Sequence, residues 1–355
     1  MKRRLSKKIK VGNISIGADS DIPVQSMTNT RSQDYEKTLS QMCAMQEAGC
    51  DIIRMTVPDK QSVITLGRIK DAGRVTVPIV ADIHFDYRLA VESAAAGADK
   101  IRINPGNIGS DDRVHSVVLA CREHGIPIRI GVNGGSLEKD VLAKYNSPCA
   151  EALAESALYH ASLLEKFDFD DIILSLKSSD VATMIRANEI LAEKCDYPLH
   201  IGVTEAGSAH AGLIKNAMGI GALLCRGIGD TLRVSLTADP IKEVEEGHNI
   251  LRALSLDRGN YVTVTSCPTC GRTNVDLIGI VEELERRAPL ECRPSRPVHA
   301  AVMGCVVNGP GEAREADIGI AGGKGEGLLF MHGKSVCKVP EDKIIDRLIE
   351  EINKF

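Results

Sequence analysis

Short β-rich runs alternate with helical stretches at a period of roughly 25–30 residues through the first two thirds of this chain. The runs begin near Pro23 (PVQSMT), Cys50 (CDIIRMTV), Pro78 (PIVADIH), Asp99 (DKIRINPG), Pro127 (PIRIGVN), Asp171 (DIILSLKS), Pro198 (PLHIGVTEAG) and Thr231 (TLRVSLTAD). Helical patterns fill the intervals at 35–48, 87–96, 113–124, 150–167, 181–194 and 214–224, and several end at a glycine (Gly49, Gly97, Gly125) suited to a left-handed stop. Eight strand-plus-helix units in about 240 residues predict an α/β fold, a (β/α)8 TIM-like barrel. An open doubly wound sheet is the competing arrangement, but no G-x-G-x-x-G follows the first strand. Ahead of the first strand, IKVGNISI (9–16) reads as a hairpin turning at Gly12-Asn13, placed to plug the barrel floor.

A helix over 241–254 leads into a different region, with β-like runs YVTVTS, VHAAVMG, ADIGIAG, GLLFMHG and KSVCKVP and helices near 274–287 and 341–354. This pattern predicts a barrel over 1–255 and a small α+β domain over 256–355. The glycines of AGGKGEG lack the Lys-Ser/Thr of a phosphate loop and lie between two β-like runs, so a hairpin turn is expected there. The 355 residues carry 43 basic and 48 acidic side chains, a net charge of −5, so no global field draws in nucleic acid. Six Tyr, five Phe and no Trp are too few for a base-stacking surface. No apolar run approaches the ~20 residues of a membrane span. The basic start MKRRLSKKIK has no apolar segment after it, so a solvated tail and a cytoplasmic, reducing setting are expected for the eleven cysteines.

Barrel enzymes place their chemistry at the C-terminal ends of the strands. Here those positions read Arg54, Asp82 and His84, Arg102, Arg129 and Asn133, Lys177, Glu205, and Arg233 and Ser235. Five cations converging on one mouth in an acidic chain predict a site for a compact polyanion such as a diphosphate. Against this stands the possibility that each arginine pairs with a neighbouring acid. Asp82 and Glu205 are the acids at the mouth and the catalytic candidates, able to hold a substrate hydroxyl, move protons or simply balance the cations, with Glu205 the preferred acid/base or hydroxyl ligand. His84 is a candidate hydrogen-bonding contact or proton donor, and Asn133 and Ser235 are candidate hydrogen-bonding contacts.

The second constellation is SCPTCGRT (266–273) followed by MGCVVNGPGEA (303–313). Cys267 and Cys270 form a C-x-x-C turn, Cys305 is a third thiol, and the turns at Asn308–Gly311 can fold Glu312 back toward the same point. A redox pair, structural zinc and an iron–sulfur cluster are all open on spacing alone. A second knuckle for zinc is missing, because Cys292, Cys305 and Cys337 stand singly. The remaining cysteines read as small core residues.

These two motifs, behind such a barrel, resemble the GcpE/IspG family of 4-hydroxy-3-methylbut-2-en-1-yl diphosphate synthases in their bacterial two-domain form. The resemblance covers essentially the whole chain. It implies reductive ring opening and dehydroxylation of 2-C-methyl-D-erythritol 2,4-cyclodiphosphate in non-mevalonate isoprenoid biosynthesis. It implies a 4Fe–4S cluster on Cys267, Cys270, Cys305 and Glu312, with two electrons reaching the substrate through it. It also implies flavodoxin or ferredoxin as electron donor, a cyclic diphosphate held in the barrel mouth, and a head-to-tail homodimer. A non-catalytic phosphate-ligand barrel with a zinc-stapled tail and a pterin-synthase-like transferase are the rival readings; the transferase leaves the cysteine motifs unexplained.

Overall fold

The computed structural model describes residues 2–257, 259–305, 311 and 313–355. The chain falls into two compact units, Met1–Asp257 and Arg258–Phe355. In the first, a short antiparallel hairpin, β1 (Ile9–Val11) and β2 (Ile14–Ile16), precedes eight parallel strands. Six form one sheet in sequence order: β3 (Gln25–Met27), β4 (Ile52–Thr56), β5 (Ile79–Asp82), β6 (Lys100–Ile103), β7 (Ile128–Asn133) and β8 (Ile172–Lys177). The last two, β9 (His200–Ile201) and β10 (Thr231–Leu232), pair with each other. Parallel bridges Leu174–Leu199 and Val24–Leu232 join this pair to β8 on one side and β3 on the other, which closes the eight-stranded barrel.

Strand alternation divides the barrel chemically. Ile53, Met55, Ile79, Ala81, Ile101, Ile103, Ile128, Ile130, Leu174 and Leu176 face the helices and build the main apolar core. The alternate positions face the axis. At its bottom, Ile52, Val80 and Ile173 pack against Ile9, Val11 and Ile16 of the hairpin, so the floor is sealed by an apolar plug as expected. Above it the inward positions turn polar: Gln25, Lys100, Arg129, Ser175, Lys177 and His200 are all buried.

The basic N-terminus is not the solvated tail expected of it. Arg3 pairs with Asp230 at 3.3 Å, and Arg4 pairs with the same carboxylate at 3.5 Å while donating to the Cys195 carbonyl at 2.6 Å. Unpaired carbonyls at helix and strand ends, together with one buried aspartate, recruit the two guanidinium groups.

The second unit is a five-stranded sheet in sequence order: β11 (Val262–Ser266), β12 (Val298–Met303), β13 (Ile318–Gly322), β14 (Glu326–Met331) and β15 (Lys334–Pro340). The first three are mutually parallel and the last two antiparallel, so the glycine-rich segment between β13 and β14 is a hairpin turn. Helices Leu277–Glu291 and Ile344–Ile352 cover one face, packing Leu284, Leu348 and Ile352 against Val298, Ala300, Ile318 and Ile320. Cys292 belongs to this apolar core and Cys337 lies exposed on β15.

Ile16 is fully buried in the floor cluster. Ile16→Ala is expected to cost about 2–5 kcal/mol, read as a lower urea midpoint with an unchanged slope. A midpoint equal to that of the parent protein would show that the hairpin does not support the barrel.

Candidate active site

The barrel mouth is built from inward side chains of successive strands held in register. Arg54 of β4 lies beside Val80, Thr56 beside Asp82, Asp82 beside Arg102, and Arg102 beside Arg129. Asn133 and Lys177 are likewise paired at the tips of β7 and β8. The five predicted cations therefore do meet. Arg129 interacts electrostatically with Arg54, Arg102 and Arg233, and Lys177 with Arg233, Arg54 and Arg129.

The alternative of acid pairing holds for three of the five. Asp82, buried to 2 % exposure, bridges Arg102 at 3.0 Å and Arg54 at 3.6 Å. Arg233 pairs at 3.1 Å with Glu243, a buried acid on the helix Pro240–Ala253. Glu243 also accepts from the Ser26 hydroxyl at 2.7 Å and the Leu236 amide at 3.0 Å. Arg129 has a neutral partner, the Gln25 carbonyl oxygen at 3.3 Å, and the Lys177 ammonium has no hydrogen-bond partner among the described residues.

Electrostatics follow from this imbalance. Burial pushes the Lys177 ammonium well below its ordinary pKa, and Arg233, Arg54 and Arg129 push the same way. Burial likewise lowers Arg54 to about 10, with Asp82 opposing. For Asp82 burial acts upward, but Arg54, Arg102 and Arg129 outweigh it and hold the carboxyl below the usual carboxylate value. Asp82 is thus biased toward its anionic form, in which it orients two arginines. The well as a whole is short of negative charge, and an anion supplies what it lacks.

Two glycines make room for this arrangement. A Cβ on Gly131 would lie 2.5 Å from Nε of Arg102, and one on Gly202 would lie 2.3 Å from the Arg233 carbonyl oxygen and 3.1 Å from Nζ of Lys177. At the rim, Glu205 is exposed in the loop after β9 with φ +52°, a left-handed conformation unusual for glutamate. His84 is exposed in the loop after β5, close enough to act on Asp82. The Ser235 backbone is anchored by Asn216, whose amide donates to its carbonyl at 3.1 Å.

Lys100, His200, Gln25 and Glu243 were not legible as site residues from strand ends. The first three lie deeper on the inward face, where alternation alone carries the signal: Lys100 stands two residues below Arg102. Glu243 reaches the mouth from a helix and has no local signature.

In the second unit, the parallel register of β11 with β12 sets Ser266 beside Val302, so Cys267 and Cys305 follow adjacent strand ends. The Gly304 amide donates to Sγ of Cys267 at 3.2 Å. Cys270 is exposed in a turn closed by Thr273, and the Arg272 amide and side chain, with Thr273, lower its pKa. Glu312 lies outside the described residues. Among those described, no three His, Cys, Asp or Glu side chains come close enough to hold a metal ion. The donor set nevertheless suits iron: one thiol favouring its thiolate form, one accepting a backbone N–H, and one buried at the neighbouring strand end. The core thiols differ sharply, since burial raises Cys50 and Cys121 to about 12.

Gly131→Ala is expected to push Arg102 aside while leaving the fold intact. If Arg102 is an anion ligand, losing one charge-assisted contact of about 1.5–3 kcal/mol is expected to weaken the binding of a diphosphate probe about 10- to 150-fold in titration calorimetry. Unchanged affinity would remove Arg102 from the site.

Comparison with known proteins agrees with this geometry. The GcpE TIM-barrel domain family matches residues 6–248 and the GcpE protein C-terminal domain family residues 263–354. The chain is 54 % identical over 355 residues to the 4-hydroxy-3-methylbut-2-en-1-yl diphosphate synthase (flavodoxin) of Clostridium tetani, covering all of both chains. The enzyme of the same name from Caldanaerobacter subterraneus is 54 % identical over 353 residues, 99 % of this chain and 98 % of that one. That of Ruminiclostridium cellulolyticum is 52 % identical over 355 residues, 100 % and 99 %. Among solved structures, the dihydropteroate synthase of Stenotrophomonas maltophilia matches with TM-score 0.52 at 14 % identity, over 70 % of this chain and 98 % of that chain. The N-acetylneuraminic acid synthetase of Leptospira borgpetersenii matches with TM-score 0.51 at 13 % identity, over 82 % and 100 %. These two likenesses speak to the barrel fold alone, whereas two domain matches and full-length identity above one half establish kinship: the chain belongs to the GcpE family.

Proposed function

We propose that this protein is a 4-hydroxy-3-methylbut-2-en-1-yl diphosphate synthase. It opens the ring of 2-C-methyl-D-erythritol 2,4-cyclodiphosphate and removes its C3 oxygen, an iron–sulfur oxidoreductase step of non-mevalonate isoprenoid biosynthesis. Two electrons and two protons enter, and 4-hydroxy-3-methylbut-2-enyl diphosphate and one water leave. The observation that carries this reading is the buried cation excess in the barrel, which among the described residues only Asp82 and Glu243 offset.

Arg54, Arg102, Arg129, Lys177 and Arg233 bind the two phosphates, with Asn133, Ser235 and His84 as hydrogen-bonding contacts that fix the ring. Asp82 keeps Arg54 and Arg102 aimed at the axis. Glu205, exposed at the rim, holds a substrate hydroxyl or moves a proton at the departing oxygen. Cys267, Cys270 and Cys305, with Glu312 as the resemblance implies, would hold a 4Fe–4S cluster, which supplies single electrons at low potential where side chains cannot. Flavodoxin is the favoured electron donor over ferredoxin, because the relatives' names specify it. We further infer a head-to-tail homodimer in a cytoplasmic setting. Eleven free thiols suit a reducing compartment, and no helix among the described residues is long and apolar enough to cross a membrane.

Arg129→Met tests the anion site. It removes a fully buried cation repelled by Arg54, Arg102 and Arg233, so the melting temperature of the ligand-free protein is expected to hold or rise. The parent protein gains about 2.7 kcal/mol at a hundredfold excess of cyclodiphosphate over Kd, and the variant loses that gain. Equal stabilisation of both would refute the site.

Cys305→Ser, purified without oxygen, is expected to lose the brown absorbance, the acid-labile sulfide and all turnover. Mixing it with Arg129→Met restores activity if each active centre draws on two subunits. Full activity of Cys305→Ser alone would end the cluster assignment, and a mixture as inactive as its parts would end the dimer.

A further inference from the structure

Beneath the ring of phosphate-binding cations lies a second polar layer that the reaction as described does not use. Lys100 is wholly buried on β6, one inward position below Arg102. It pairs in register with Val80, a residue of the apolar floor. Its Nζ has no hydrogen-bond partner among the described residues, nor does either ring nitrogen of His200, which is wholly buried on β9. The buried Gln25 amide nitrogen on β3 likewise has no partner among the described residues. An ammonium held without an acceptor against an apolar floor is costly, and methionine would fill the same volume at lower cost.

Arg129 and Arg54 act on both Lys100 and His200, and Lys177 on His200. The other charged groups of the well above them are Asp82, Arg102, Arg233 and, from its helix, Glu243. The floor hairpin contributes only Ile9, Val11 and Ile16. Cations therefore outnumber acids even before Lys100 and His200 are counted.

We propose that Lys100 and His200 form a proton-accepting layer beneath the anion ring, so that a diphosphate entering the barrel is bound together with protons drawn from solvent. The inference rests on reading the barrel mouth as a diphosphate site. An N–H bond forms on Nζ of Lys100 or on a His200 ring nitrogen, the proton comes from buffer, and no bond of the diphosphate breaks. The direction is set by electrostatics. Burial, then Arg129 and Arg54, push Lys100 well below its ordinary pKa, and burial, then Arg129, Lys177, Lys100 and Arg54, do the same to His200. Two negative charges arriving above raise both again. Protons are then taken up between the free and bound values, and affinity falls as pH rises through that interval. Both are positioning residues, acting on the ligand through the field they add under Arg129.

Calorimetry on the oxygen-free holoenzyme without reductant, in pairs of buffers differing in ionisation heat across roughly pH 6 to 9, reads this directly. Two probes serve, 2-C-methyl-D-erythritol 2,4-cyclodiphosphate and P1,P2-dimethyl diphosphate, whose phosphates carry only strongly acidic protons. The expected result is uptake on the order of one proton per diphosphate. Lys100→Met with His200→Asn should reduce it to what Lys177 alone contributes and flatten the pH dependence of affinity, with an unchanged circular dichroism spectrum. Binding with no buffer dependence in the parent protein, or undiminished uptake in the double variant, overturns the proposal. Cyclodiphosphate bound without uptake sinks the proton layer and spares the substrate reading. Dimethyl diphosphate bound with uptake, beside a cyclodiphosphate that does not bind, does the reverse.

Discussion

Repulsion between like charges inside a closed barrel is the constraint around which the first unit is organised. Two unit charges about 4 Å apart interact by about 4 kcal/mol at an effective dielectric of 20, and this well holds several such cations. The fold tolerates them by sharing. One buried aspartate serves both Arg54 and Arg102, and one buried glutamate serves Arg233 while accepting two further hydrogen bonds. The balance is incomplete at Arg129 and Lys177, where donors remain without charged partners among the described residues. Buried cations without matching acids cost stability, and under the proposed reading a bound polyanion offsets that cost.

Much of this was legible in the sequence, and the reason is periodicity. Parallel barrel strands alternate strictly, so Arg54, Asp82, Arg102, Arg129 and Lys177 could be assigned to one interior from their offsets within each run. Lys100 obeys the same alternation and went unrecognised because attention to strand ends excludes residues one step deeper. Glu243 could not be reached that way, since its role depends on how a helix packs over the seam between β10 and β3. The basic start failed for a related reason: Arg3 and Arg4 find a carboxylate and carbonyls some 190 to 230 residues away, and composition carries no trace of that.

In the second unit the C-x-x-C spacing is local and reads directly, whereas the third thiol is brought alongside by a non-local fact, the parallel pairing of β11 with β12. Parallel neighbours end on the same side, so residues just past two strands separated by a long helix become adjacent. Burial raises Cys50 and Cys121 in the barrel wall, whereas Cys270, in the turn past β11, is lowered by Arg272 and Thr273, and Cys267 accepts the Gly304 amide.

The seam of the barrel carries one more implication. β3 meets β10 through Val24 and Leu232, and the contact is reinforced by the Thr231 hydroxyl and Leu232 amide on the Pro23 carbonyl. Glu243 then locks it by holding Ser26 and Arg233 at once. Every one of these ties joins the start of the barrel to residues beyond 230. During synthesis the first seven strands emerge with an open edge and a growing burden of unneutralised cations, and neither is resolved until the helix bearing Glu243 has left the ribosome. The edge of β3 therefore stays open in the nascent chain until residues beyond 230 are available to close it.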